Sequence, residues 1–290
     1  MRLVQIAGRW RAVAVGLVAG AILTLALSTP GGQRAFAQFL AQFRSQRFQV
    51  VTIDPRQAPS GMVQLERLGT LSAHVRDRQP VEVPTAAEAS RQVGFALKLP
   101  DSAALPADVR RTPRILVTPA AEYRFTFEKA KAAEYFRQAG RPDISLPDKF
   151  DGATLIVSVP AAVLLQYQTQ SGGDRDPGLL IGQAGELQAR VEGKVTLDEL
   201  RDFLLGLPDL PPDTVQQLRA IKDWRTTLPI PVPADRVVWK QARLAGVDGL
   251  ILSDPSGLGS AALWQRDGRV YGVAGPLTSA EIQRVAESLR

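Results

Sequence analysis

Cysteine is absent from the 290 residues, and histidine occurs once, as His74. The first absence excludes a disulfide framework, a thiol nucleophile, cysteine-ligated zinc and thiolate-held iron–sulfur clusters. The second leaves histidine-dependent metal centres and Ser-His-Asp machinery with a single candidate. From Phe48 onward there is no low-complexity linker and no internal repeat. Apolar residues make up 45% of the chain and charged residues 22%, the balance of an ordinary globular protein. The length suits one large domain or two small ones, with a sizeable core.

The net charge of +6 is unevenly placed. Arg2, Arg9 and Arg11 precede the first apolar run, and no acid occurs in the first 30 residues. Removing those three from 35 basic residues leaves 32 against 29 acidic ones, a net of +3. Arginines alternate with acids along the remainder, so no basic stripe of the kind that binds nucleic acid is present.

Ala12 to Leu27 is a run of sixteen residues in which Thr24 is the one polar member, and Pro30-Gly31-Gly32 ends it. About 20 residues span a bilayer as a helix, with a working range of roughly 17–25. With Ser28 and Thr29 the run is long enough. Trp10 lies at the interfacial position, and the arginines before the run place the amino end in the cytoplasm. The expected layout is a cytoplasmic tail over 1–11, a membrane helix over 12–29 and an exported remainder. The competing layout is a cleaved signal peptide, with Ala35-Phe36-Ala37 or Ala26-Leu27-Ser28 as the cleavage site. Ala12, Gly16 and Gly20 recur every four residues, the spacing at which two membrane helices pack closely. Phe36, Phe39, Leu40 and Phe43 then form one apolar stripe, which predicts a juxtamembrane helix within 30–47.

The exported part, 48–290, predicts alternating kinds of element. Strands are expected at Gln49–Ile53, Phe95–Leu99, Arg114–Val117, Tyr123–Phe127, Thr154–Val159 and Val163–Tyr167. Helices are expected at Met62–Leu71, after the Thr85 capping box, and at Glu128–Gln138, Leu197–Leu205 and Thr214–Trp224. The last third predicts a meander of four strands, turned at Asp267-Gly268, and then a helix capped by Thr278 and Glu281. Strands in runs with intervening helices argue for an α+β fold, mainly antiparallel sheet with packed helices, behind one membrane helix.

Two stretches carry a resemblance. Leu263-Trp264-Gln265, Val270-Tyr271-Gly272-Val273 and the closing Ala286-Glu287-Ser288-Leu289 form one, and Ala89-Ser90, Val93-Gly94-Phe95 and Leu99-Pro100 the other. Together they resemble an uncharacterised bacterial extracytoplasmic domain of membrane-anchored, anti-sigma-factor-like proteins. The resemblance implies an exported sensory or binding domain on a single membrane helix, with residues from about 120 to 235 reading as an insertion between its halves. Proteins of that kind hold their sigma factor with a substantial cytoplasmic domain, whereas eleven residues precede the apolar run here. Any regulation of that type would have to act through another membrane protein.

Signatures of chemistry are weak. Gly257-Leu258-Gly259-Ser260-Ala261-Ala262 fits a dinucleotide pattern, but it precedes an expected strand instead of opening a helix, so it reads as a hairpin connection. Glu192-Gly193-Lys194-Val195 lacks both the first glycine and the hydroxyl of a phosphate loop. Asp174 and Asp176 supply two carboxylates where calcium needs about six to eight oxygens. His74, with Asp77 nearby, is the one conventional general base, and no G-x-S-x-G elbow exists. Asp198/Glu199 and Glu186 with Glu192 have no spacing that singles them out for acid–base work.

No catalytic residue, cofactor site or metal site is therefore assigned. Leu207, Pro208, Leu210 and Pro211 form an apolar, proline-rich step between two helices, which reads either as a buried corner or as a ridge offered to a partner. Trp224, Trp239, Trp264 and Tyr271 fall late in the chain, as core or as the lining of a groove. The expected protein is a non-enzymatic binding or sensory domain at the plasma membrane, contacting the lipid bilayer and a protein or peptide partner, with no nucleic acid. The alternative is an exported lipid or lipoprotein carrier with a hydrophobic cavity.

Overall fold

Three stretches, 114–127, 154–168 and 177–192, each hold two strand-forming runs interrupted near the middle by proline or glycine. In the computed structural model each becomes one long bent strand. The structure describes residues 43–44, 46–54, 67–74, 79–170, 177–207, 210–257 and 259–290, with the backbone alone for residues 43, 44, 73, 74, 177 and 197.

The first stretch is β5 (Arg114–Thr118) and β6 (Ala121–Phe127), the second β7 (Thr154–Val159) and β8 (Ala162–Gln168), the third β9 (Pro177–Gly185) and β10 (Gln188–Glu192). One half of each stretch lies in a five-stranded sheet and the other half in an eight-stranded sheet. Register is kept across the bend. Thr118 faces Ala162 and, three residues on along each strand, Ala121 faces Val159; Ala162 faces Ala184 and Ser158 faces Gln188. No residue is inserted at the corner, so the ribbon turns between sheets without losing its pairing. Pro119 and Pro160 stand at the turn, where their missing N–H removes a ladder donor. Gly185 meets them from the third strand, and a Cβ there would sit 3.0 Å from Cβ of Pro160.

The eight-stranded sheet has the order β12-β13-β14-β15-β9-β8-β5-β4 and is antiparallel throughout. Its meander is β12 (Val238–Leu244), β13 (Val247–Ser253), β14 (Ser260–Arg266) and β15 (Arg269–Gly275), and its far edge is β4 (Val81–Val83). The two-residue turns match the twist of the strands they join: Ala245 and Gly246 have φ of 48° and 84°, Asp267 and Gly268 have 51° and 70°. The five-stranded sheet has the order β1-β10-β7-β6-β3, with β1 at Phe43–Arg44 and β3 at Gly69–His74.

Both faces of the large sheet are covered. One carries α1 (Ala86–Val93) and α5 (Ser279–Glu287), which bury Ala89, Ile282, Val285 and Ala286 against Ile115, Leu165, Ile181, Trp264 and Val273. Trp264 is 1% exposed and stacks on Tyr271 with ring centroids 5.4 Å apart. The other face packs on the small sheet through Leu180, Leu250, Leu263, Phe125, Leu155 and Val157. α2 (Lys129–Gln138) and α3 (Leu197–Leu205) add an edge-on aromatic group, Phe125, Phe127, Phe136, Phe150 and Phe203.

A two-stranded parallel ribbon, β2 (Arg47–Ile53) with β11 (Thr227–Pro233), completes the core. Val50, Leu228, Ile230 and Val232 face the sheets, while Val51 turns the other way onto Leu205, Leu218, Ile221 and Trp224. The register and the bond from the Ala234 N–H to the Ile53 carbonyl put the donors of Leu228, Ile230 and Val232 toward β2. Pro229, Pro231 and Pro233 therefore occupy the outer edge, where they offer no donor. The opposite edge is closed at Thr52, whose N–H and C=O are both taken by the Gln217 amide on α4 (Pro212–Arg219), at 2.8 and 3.0 Å.

Several expectations change. Residues 43–44 are strand and Arg47 opens β2, so the helix placed within 30–47 does not reach its expected end. Met62–Leu71 is not one helix, because Gly69–Leu71 pair with β6 while Leu71 is exposed. Gly69 lies so close to β6 that a Cβ would strike the Thr126 carbonyl. Phe95–Leu99 is not a strand. Both neighbours of β9 are already in place, so this segment crosses the α1/α5 face instead of joining an edge. Its peptide at Lys98 is bound at N–H and C=O by the Gln183 amide, at 2.9 and 2.6 Å, Phe95 lies against the Arg269 guanidinium, and Leu99 bonds the Arg290 backbone. Within the stretch 120–235 lie β8 and β9, at the centre of the large sheet. The helix at Thr214–Trp224 runs from Pro212 to Arg219, leaving Trp224 beyond its end.

Gln183 is 1% exposed. Replacing it with leucine keeps its bulk and leaves two half-buried peptide groups without partners, each costing up to about 1–3 kcal/mol. Urea unfolding of Gln183→Leu should show a loss of about 2–4 kcal/mol, with faster protease cleavage at 95–100. Ala245 holds a left-handed backbone without the tolerance of asparagine, so Ala245→Asn should raise stability by roughly 0.5–1 kcal/mol, read as a higher Tm.

Candidate functional site

α3 begins with Thr196-Leu197-Asp198-Glu199, a capping box in which the hydroxyl accepts from the Glu199 N–H and the Glu199 carboxylate accepts from the Thr196 N–H at 2.8 Å. Lys149 adds an ion pair to the same carboxylate at 2.6 Å. Together these hold the Glu199 carboxyl down at about 2, with the Lys149 hydrogen bond as the largest cause and Thr196 next. α3 is thereby fixed at its start, and its later residues Arg201, Asp202 and Leu205 form one wall of an open cavity of about 310 Å³.

The opposite wall follows from the end of α4. Leu218 and Ile221 are buried, so Arg219 and Lys222 point outward between them, and the chain then turns Trp224 back under the cavity. Trp224 is 6% exposed and, with Leu205 and Ile221, makes an apolar floor. Three cations and one carboxylate line the opening. Asp202 is held by Arg201 at 2.8 Å, and Asp198 ties Arg201 at 3.0 Å and Arg225 at 3.3 Å. Arg219 and Lys222 have no ion-pair partner among the described residues. A cavity with this lining accepts an acidic group, with the flat side of a peptide or ring against the floor.

The cavity lies beside the start of β2. The N–H groups of Gln46 and Arg47 both bond the Thr226 carbonyl, at 2.7 and 2.9 Å, two residues beyond Trp224. Asp223 fixes this turn by accepting from the Thr226 hydroxyl at 2.6 Å and from the Arg225 N–H at 3.2 Å.

The residues singled out from the sequence are dispersed. Leu207 is 4% exposed in the main core, Leu210 is half-buried against that core and Pro211 is half-buried; Pro208 lies outside the described residues. Ala12, Gly16 and Gly20 lie outside them too, as do Asp77, Asp174 and Asp176. Among the described residues no helix is long and apolar enough to cross a membrane. His74 ends β3 with its backbone opposite Glu122. Asp198 and Glu199 point to different cations, and Glu192 pairs with Arg124 at 2.7 Å. The Gly257 turn connects β13 to β14. The late aromatics separate: Trp264 and Tyr271 under α5, Trp224 at the cavity, Trp239 exposed on β12. Among the described residues no group of three metal-ligating side chains occurs.

Arg219, Lys222 and Trp224 were missed as a set. Their spacing carries no motif, and Arg201 joins them only because α3 and α4 pack on Val51 from the same side. No family model matches the chain, and no curated protein matches it.

The low Glu199 value gives the site an acid limit. A carboxyl depressed by folding stabilises the fold fully above its ordinary value near 4.5 and loses that contribution as pH falls through about 2. Lys149→Ala should move the Glu199 titration upward toward 4.5 in carboxyl-carbon NMR, and α3 should fray at correspondingly higher pH.

Proposed function

We propose that the chain is a single-pass membrane protein whose exported α+β domain binds an acidic protein or peptide partner at the cell envelope, without chemistry of its own. The observation that carries this reading is the excess of cations over a buried tryptophan, in a cavity beside the start of β2. A partner held there touches α3, α4 and the turn that binds Gln46 and Arg47. Contact at the cavity thus reaches the start of β2, which in sequence follows the expected membrane and juxtamembrane segments. This is the arrangement expected of a receptor that passes binding on to another membrane protein, and it agrees with the resemblance to anti-sigma-factor-like extracytoplasmic domains.

The carrier reading has less support. A lipid carrier needs an enclosed apolar cavity, whereas both faces of the large sheet are filled by side chains and the cavity described is open and basic.

Mass spectrometry of the full chain extracted from its own membrane tests the reading. The expected result is an intact segment 1–29 and a co-purifying membrane protein whose retention falls at least tenfold in the Arg219→Glu/Lys222→Glu variant. Arg284→Glu, a surface charge change on α5, should retain it. A mature start near residue 29 or 38 with bound lipid and no protein partner would overturn the proposal. His74→Ala should leave retention unchanged; loss there would point to chemistry at β3.

A further inference from the structure

The large sheet ends on one side in β12, and this edge differs from those of β11, β2 and β4. β11 shows three prolines to the outside, β2 is closed at Thr52 by Gln217, and β4 is three residues long between Pro80 and Pro84. β12 has seven residues, full register with β13 and no proline. Val238 and Trp239 are 59% and 42% exposed on it.

Its turn decides which backbone groups face outward. Leu244 and Val247 close the two-residue turn, so Leu244, Ala242, Lys240 and Val238 direct their N–H and C=O to β13. Trp239, Gln241 and Arg243 direct theirs away. The Arg243 carbonyl accepts from the Gln283 amide at 3.4 Å, which agrees with this assignment. Among the described residues nothing bonds the outward groups of Trp239 and Gln241.

We infer that β12 pairs antiparallel with β12 of a second copy of this chain, centred on Gln241, joining two eight-stranded sheets into one. The sequence of the strand is self-complementary about that centre. Gln241 meets its own copy, Trp239 faces Arg243, Lys240 faces Ala242 and Val238 faces Leu244. The outward N–H and C=O groups of Trp239 and Gln241 and the N–H of Arg243 then find partners, while the Arg243 carbonyl already accepts from Gln283. The Arg243 guanidinium, held at its own turn by Asp248 at 3.1 Å and the Gly246 carbonyl at 2.6 Å, then stands across from the indole on the same face, in reach of a cation–π contact, and no charge stands directly opposite a like charge. Moving the centre to Trp239 or Arg243 shortens the overlap and loses these pairings. The contact is isologous and closes at two copies. It does not depend on the membrane reading or on the basic cavity.

The absence of cysteine makes the test direct, because each introduced thiol is the only one. Full-length chain in neutral detergent would carry Gln241→Cys, with Val81→Cys on the far edge and Asp248→Cys on β13 as references, and be oxidised with copper–phenanthroline. Hydrogen-bonded antiparallel pairs hold their Cα atoms about 5.5 Å apart, within disulfide range. Gln241→Cys should cross-link at least tenfold faster than either reference. Adding Trp239→Lys, which sets lysine against Arg243, should cut that rate at least tenfold, and adding Arg243→Glu as well should restore it. Equal rates at the three positions, a monomeric chain, a dimer that cross-links at Val81, or a rate indifferent to the charge swap would each overturn the pairing.

Discussion

The bend in the three shared strands governs everything built around it. Two sheets that met only through side chains could slide or separate. Here the same three strands, β5–β6, β7–β8 and β9–β10, run through both, so the angle between the sheets is set by covalent continuity and by a register kept across the bend. A register slip of one residue would turn every side chain in both sheets to the wrong face. The two cores confirm how tightly this is set: Leu180 faces the small sheet, while Leu179 and Ile181 on either side of it face α1 and α5. The corner also explains its own composition, with proline where a ladder donor is dispensable and glycine where the Pro160 ring leaves little room for a side chain.

A second constraint follows from the first. Filling both faces of the central strands leaves polypeptide to be laid over sheet surfaces, where no ladder is available. Gln183 and Gln217 meet this need in the same way, each giving one amide to both the N–H and the C=O of a single residue. The primary amide reproduces what a neighbouring strand would supply, so a segment can be fixed without being in a sheet. The second of these sits on α4, whose C-terminal end also carries Arg219. The element that closes the β2 edge therefore aims a cation into the cavity, and the stability of the ribbon and the geometry of the site share one helix.

How far the sequence reveals this depends on the kind of information each element uses. Elements set by local chemistry were legible: the Thr85 and Thr278 caps, the Asp267-Gly268 turn and the C-terminal meander all match the structure. β9 was not, although it is the centre of the large sheet. Its sequence is Pro-Gly-Leu-Leu-Ile-Gly-Gln-Ala-Gly, and glycine reads as a break in any local pattern. Its glycines answer instead to distant atoms, for a Cβ on Gly178 would meet Val109 and Thr169 at 2.7 and 2.8 Å. β11 was hidden for a related reason, since its prolines argue against a strand until the unpaired edge is known. The far end of the helix expected at Met62–Leu71 is the converse case, in which an apolar spacing of three continued by coincidence into the paired strand at Gly69–Leu71.

The candidate site shows the same limit more sharply. Arg201 and Arg219 lie on different helices, and neither has a neighbour in sequence that marks it as more than a solvated charge. What brings them to one cavity is Val51, which is buried under both helices because Val50 on the same strand is buried under the sheets. Alternation along one strand thus places a basic cavity on one side of β2 and the main core on the other. The two N–H groups that begin this strand are held by the turn bordering that cavity. The cavity therefore touches the start of β2 through backbone hydrogen bonds and the main core through α3, whose Leu200 and Leu204 are buried there. Backbone bonds of this kind leave no pattern among the side chains from which a sequence is read.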